Sequence, residues 1–303
     1  MKTVQKGLEI HSEKVSEYNI TKITHLVHLC NAMKYGVYIS NYALQGDPSK
    51  FLELAVAAED ARWDGFFMWD HNYVGKDYLI ADPWITLAAI AARTEKIRIG
   101  TTVTPLPRRR PQMVAREVAT LDILSKGRFI LGVGLGGSSD NDYRKFGEDT
   151  TLKERAEKLD ESLEILEGLW SGKPFSFSGK HYNIAKVTFN PRPIQQPRVP
   201  IWCAGTWPIK APFRRAARYD GVFPLSMSED MSLEEYSDVT NYVKKHRGSM
   251  KDYDIVIIGM SSGNPEKDSW IKESEALGMT WYAEVMMGDY FEGHLEKVMK
   301  GPP

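Results

Sequence analysis

The stretch FFMWDHN (66–72) runs from four large apolar residues straight into an acid, an imidazole and an amide. His71 carries the most versatile chemistry of the three. An imidazole with an ordinary pKa of about 6.5 can take or give a proton near neutral pH. Asp70 has two readings of equal weight, an orienter of His71 or a structural hydrogen-bond acceptor. Neighbouring residues of an extended chain alternate faces, so one metal ion would not readily take both side chains. His25 and His28, far upstream, read as surface histidines, and no metal site is expected. A G-x-S-x-G nucleophile motif is absent, which argues against a serine hydrolase.

Two further stretches could hold anions or flat rings. GVGLGG (132–137) matches G-x-G-x-x-G after an apolar run, the pattern of a dinucleotide site. The next helical stretch opens only near Leu152, so the third glycine does not start a helix and that reading is weak. Glycines that let a planar ring approach the backbone fit better. In WCAGTWPIKAPFRRAAR, Gly205 and Thr206 close a strand ahead of a helix, where amide groups and a hydroxyl could hold a phosphate. Arg108, Arg109 and Arg110 in PLPRRRPQ form a basic loop that would suit an anion or remain solvated.

Positioning these residues requires regular elements. Strand-like apolar runs occur at 34–40, 65–70, 96–104, 128–134, 199–205, 221–226, 254–262 and 279–287. Helical patterns alternate with them at 48–63, 82–94, 111–127, 152–170, 211–219, 233–247, 264–277 and 290–300. Asp82 with Pro83 reads as a helix start, and Gly127 as a helix end. Continuous apolar strands suit a parallel sheet covered on both faces. Eight such units over 34–303 predict an α/β chain folded as a single (β/α)8 barrel. A Pro- and Gly-rich excursion with a small hairpin (171–197) is expected between the fourth helix and fifth strand. Residues 1–33 read as an N-terminal extension. In such a barrel the strand ends share one mouth. There Ser40, Trp69 to Asn72, Thr101, Thr102, the glycines, Gly205, Thr206 and Glu284 would meet.

Composition narrows the partners. The net charge of −1 gives no broad basic field for nucleic acid or an anionic membrane. The mean hydropathy of −0.38, with no long uncharged apolar run, argues against a spanning helix. Two cysteines, Cys30 and Cys203, make no disulfide framework, so a reducing cytoplasm is the expected setting.

DPWITLAAIAARTEKIRIGTTVTPLPRRRPQMVAREVATLDILSKGRFILGVGLG (82–136) and PIWCAGTWPIKAPFRRAARYDGVFP (200–224) resemble the luciferase-like monooxygenase superfamily, and the likeness spans nearly all of 34–300. The resemblance implies a flavin or deazaflavin at the mouth, either FMN or coenzyme F420. It implies an oxidoreductase that performs hydride transfer or monooxygenation on a small organic substrate, often as a homodimer. A flavin reductase partner would be needed if the cofactor is FMN. Carried over residue by residue, Gly100, Thr101 and Thr102 would back the ring through a strained or cis peptide. Gly134 and Gly136 would line it, Gly205 and Thr206 would hold the phosphate, and His71 would sit over the reactive face. The acidic tail of F420 would suit Arg108 to Arg110 and Arg214 with Arg215, which favours F420 slightly. Several deazaflavin dehydrogenases have a glutamate just after the GxG. Gly137 stands there, which argues against a sugar-phosphate or simple alcohol dehydrogenase. The alternative of another class is a non-catalytic flavin-binding barrel, for which the polar cluster at 70–72 would have no use.

Overall fold

A computed structural model describes residues 32–137, 139–148, 151–226 and 231–303. The expected extension lies outside the described residues up to residue 31, together with His25, His28 and Cys30.

Eight parallel strands close into a barrel. They are β1 (Lys34–Ile39), β2 (Gly65–Met68), β3 (Arg98–Pro105), β4 (Phe129–Gly134), β7 (Ile201–Trp207), β8 (Gly221–Ser226), β9 (Asp254–Gly259) and β10 (Trp281–Met286), hydrogen-bonded in that order with β10 returning to β1. The excursion holds an antiparallel hairpin of β5 (Phe175–Ser178) and β6 (Asn183–Val187). The helices are α1 (Pro48–Asp60), α2 (Pro83–Arg93), α3 (Pro111–Leu124), a single turn α4 (Ser139–Asp142), α5 (Leu152–Trp170), α6 (Lys210–Ala216), α7 (Leu233–Arg247), α8 (Ser269–Ala276) and α9 (Phe291–Met299). Among the described residues, no helix is long and apolar enough to cross a membrane.

Local chemistry explains most boundaries. Asp82 caps α2 by accepting from the Ile85 amide at 2.9 Å, with Pro83 in the first turn. Gly127, at φ +80°, ends the turn after α3 as expected. The helix expected from residue 264 begins only at Ser269, because the Asp268 carboxylate turns back to the Ser262 amide at 2.9 Å. α4 falls where the periodicity predicts no helix; a single turn is too short to leave a periodic pattern.

The barrel interior is filled rather than hollow. Tyr38, Phe67, Ile130, Trp202, Phe223 and Trp281 form one buried cluster. Phe67 fits because Gly36 and Gly65 leave room for it; a Cβ at either would come within 2.7 and 2.5 Å of its ring. So Phe66, Phe67 and Met68 of FFMWDHN belong to the core. Above that cluster, Trp69, Ala204, Ile258 and Val285 are only partly buried and form an apolar floor at the carboxyl ends of the strands.

Candidate active site at the barrel mouth

His71 follows β2 and is held from two sides. Asn41, just past β1, donates from Nδ2 to the His71 carbonyl at 2.9 Å and to the Ala81 carbonyl at 3.0 Å, while its Oδ1 accepts the His71 amide at 3.3 Å. This fixes the backbone. The ring is fixed by Asp142, whose Oδ2 lies 2.8 Å from His71 Nδ1. Asp142 Oδ1 accepts the Asn72 amide at 2.9 Å and faces Arg108 Nη1 at 2.9 Å. The His71 side chain is 25% exposed, whereas Asp142 is fully buried. Burial works against ionisation of Asp142. The bonds from His71 and the Asn72 amide, with the Arg108 charge, outweigh it and hold the carboxyl below the usual range. Nε2 of His71 has no partner among the described residues and is left for chemistry.

Asp70 does not orient His71. Its Oδ2 accepts from Trp84 Nε1 at 2.9 Å and Thr104 Oγ1 at 2.8 Å, and its Oδ1 is 2.5 Å from Arg108 Nη2. The alternation of faces at a strand end turns Asp70 toward α2 and β3 and away from the imidazole. Asn72 enters through its backbone amide. Asp142 is not singled out by the sequence because it is one acid of a polar run, SSDNDY, with no motif around it. Only the crossing of the segment after β4 toward β2 brings it to His71.

Arg108 also departs from expectation. Its side chain is 3% exposed and bridges Asp70 and Asp142, so it is not presented to a cofactor tail. Arg109 pairs with Glu117, and Arg110 is exposed. Arg215 is taken by Asp160 through Nε at 2.6 Å and Nη2 at 3.0 Å. Arg214 donates to the Tyr242 hydroxyl at 3.3 Å on the outer face. Glu284 is fully buried beside Lys297 Nζ at 2.6 Å, in the helix layer rather than at the mouth. Cys203 is a buried thiol, pushed up to about 12 by burial.

Beside His71 the wall is aromatic. Tyr42 and Trp69 stand 6.1 and 5.8 Å from the imidazole, centroid to centroid. The expected irregularity in β3 is present: pairing with β4 shifts between Thr101 and Thr104, and the Thr102–Val103 peptide is cis. The glycines have reasons of their own within the protein. A Cβ at Gly100 would overlap the Ile130 carbonyl, and one at Gly132 the Thr101 carbonyl. At Gly134 it would come within 2.8 Å of Val103 Cγ2, and Gly136 sits at φ +79° against Pro105 and Tyr143. At Gly205 it would overlap Pro212 of α6, so that glycine serves helix packing. Thr206 is half-buried at the end of β7, and α6 starts only after the cis Trp207–Pro208 bond. Gly137, by contrast, faces open space.

Among the described residues, the buried polar atoms without a hydrogen-bond partner around the mouth include Ser40 Oγ, Trp69 Nε1 and Thr102 Oγ1, and Arg108 Nη1 meets Asp142 only as an ion pair. Such groups in native proteins call for an explanation, and a bound molecule is one. An apolar floor, an aromatic wall and unsatisfied donors suit a flat ring with polar edges. The orphaned atoms and the floor therefore fit a flavin-type group. Among the described residues no cluster of histidine, cysteine and carboxylate could hold a metal ion.

Known proteins bear on this arrangement. A glucose-6-phosphate dehydrogenase of Nakamurella multipartita, described as F420-dependent, is 35% identical over 201 residues, 65% of this chain and 57% of that protein. The chain spans between 49% and 60% of the length of such curated relatives. The structure of an F420-dependent secondary alcohol dehydrogenase in complex with an F420–acetone adduct matches with a TM-score of 0.75 at 18% identity, covering 90% of this chain and 99% of that one. The oxygenating constituent of 3,6-diketocamphane monooxygenase from Pseudomonas putida, a type II Baeyer–Villiger enzyme in complex with FMN, matches at 0.62 and 18%, covering 80% and 72%. Identities this low speak for the fold alone. The sequence model of the luciferase-like monooxygenase family matches residues 33–292, which is most of the chain. The chain belongs to the luciferase-like monooxygenase family.

Proposed function

We infer that this protein is an oxidoreductase that works with coenzyme F420 on a small organic substrate, with His71 handling the proton. One observation carries the reading: His71 is clamped at Nδ1 by Asp142, while its Nε2 has no partner among the described residues, beside the apolar floor at the barrel mouth. The deazaflavin, when bound, supplies the hydride chemistry. Trp69, Thr102, Thr101, Gly100, Gly134 and Gly136 would hold the ring, and Gly205 with Thr206 its phosphate. His71 would take the proton from a substrate hydroxyl as hydride leaves the neighbouring carbon, or return it in reduction. Position 137 carries no side chain, so that position offers no second acid, and His71 is the group assigned to the proton. The names of the curated relatives favour F420 over FMN. Exposed Ile85, Met113, Ile123 and Leu124 on α2 and α3 favour a homodimer. A cytoplasmic setting, a compact barrel over 34–303 and a separate N-terminal extension complete the reading.

The test is to titrate the purified protein with F420 and FMN, then follow F420 reduction with a panel of alcohols that includes glucose 6-phosphate, and reoxidation of reduced F420 by organic acceptors against buffer alone. Binding of F420 with turnover on one of these supports the reading. Tight FMN binding without F420 binding would overturn it and call for monooxygenation with an external reductase. Cofactor binding without any turnover would favour a storage barrel.

A further inference from the structure

We propose that Asp142 is a positioning residue that fixes the tautomer of His71, so that Nε2 and not Nδ1 is the working nitrogen. The proposal rests on the reading of His71 as the proton-handling group. Asp142 receives three groups on two oxygens. The Asn72 amide and Arg108 Nη1 both face Oδ1 at 2.9 Å, and His71 Nδ1 faces Oδ2 at 2.8 Å. An ionised carboxylate is an acceptor only. The proton between Nδ1 and Oδ2 therefore sits on the ring. A neutral imidazole carries one N–H, so its lone pair lies on Nε2. Arg108 keeps Asp142 anionic and is itself anchored, since its Nη2 also reaches the Asp70 carbonyl at 2.6 Å. The Asn41 bonds to the His71 backbone stop the residue from swinging to another partner. Asp142 thus acts on the reaction only through His71.

The geometry makes Asp142→Asn unusually informative. The Asn72 amide donates to Oδ1 and the Arg108 cation lies beside it, so the amide oxygen of the variant takes that position. The amide NH2 then faces Nδ1, which must become the acceptor. The proton moves to Nε2, and the free nitrogen is no longer a base. A change of this kind removes general base catalysis, worth about 10²–10⁴-fold. We expect kcat to fall at least a hundredfold, while F420 affinity changes less than about threefold, because Asp142 does not line the mouth.

The experiment is 15N NMR on histidine-labelled protein without cofactor, above pH 8, with His71 assigned by its loss in His71→Gln. In the natural protein, Nδ1 should give the protonated and Nε2 the unprotonated signal. In Asp142→Asn the two should exchange. Nε2 protonated in the natural protein would overturn the proposal, and that measurement needs no variant to fold. An unchanged tautomer in a folded Asp142→Asn protein would overturn it equally. Failure of F420 to bind the natural protein would sink the functional reading instead, and leaves the tautomer result to be judged by itself.

Discussion

Asp70→Ala separates a structural carboxylate from a catalytic one. Asp70 has a side chain 4% exposed, and it faces Arg108 at 3%. Removing the carboxylate leaves the guanidinium short of one of its two acidic partners and Trp84 Nε1 without an acceptor. Thr104 is spared, since its hydroxyl can turn to Thr101 Oγ1 at 3.0 Å. Breaking a buried pair from one side costs about 3–5 kcal/mol. An orphaned neutral donor adds about 1–3 kcal/mol. Arg108 keeps Asp142 and the Asp70 carbonyl, so the low end of the pair cost applies, and about 4 kcal/mol in all is expected. That is a large share of a typical total of about 5–15 kcal/mol. Urea denaturation followed by tryptophan fluorescence measures it. The double variant Asp70→Ala/Arg108→Met should lose about 1–3 kcal/mol less than the two single losses summed, because the uncompensated cation is gone. Turnover per folded molecule should stay within about tenfold of the natural protein, well below the effect of losing an acid–base group. A cost under about 1 kcal/mol, or normal stability with abolished turnover, would refute the structural assignment.

Other outcomes follow from the same geometry. His71→Ala should lower turnover by about 10²–10⁴-fold with cofactor still bound, read by steady-state kinetics beside a binding titration. Unchanged turnover would remove His71 from the mechanism. Asp142 has its folded pKa below the ordinary aspartate value of about 4. Its contribution to stability is therefore full above that value and is lost as pH falls through the lower folded one. Urea midpoints measured from pH 5 down to 2 should fall less steeply in Asp142→Asn than in the natural protein. Gly132→Ala forces a Cβ into the Thr101 carbonyl and should destabilise by about 1–3 kcal/mol, whereas Gly137→Ala meets open space and should stay within about 0.5 kcal/mol. Thermal melts of the pair decide this, and equal losses would contradict the close approach of β3 to β4 at Gly132.

Much of the architecture is legible in the chain because barrel strands and helices announce themselves locally. Apolar runs such as RFILGVG must be covered on both faces, and capped amphipathic stretches such as DPWITLAAIAAR declare their own starts. His71 is legible too, as a titratable group placed where an apolar strand ends. The partner of that histidine is not. Asp70 is adjacent in sequence and is the natural candidate, yet strand alternation sends it to Trp84, Thr104 and Arg108. Arg108 reads as a loop cation for an acidic tail and proves to be a buried bridge between two carboxylates. The glycines read as room for a ring, and several turn out to be required by neighbouring backbone or side chains.

The linear pattern of residues is enough to specify the barrel, its alternation of strands and helices, and the position of one imidazole at the mouth. Periodicity and turn chemistry act over a few residues, so they survive in a one-dimensional reading. Which charge meets which is settled only in three dimensions. Asp142 lies 71 residues beyond His71. Their pairing exists because barrel closure brings the segments after β2, β3 and β4 to the same rim, where burial forces every charge to find a partner.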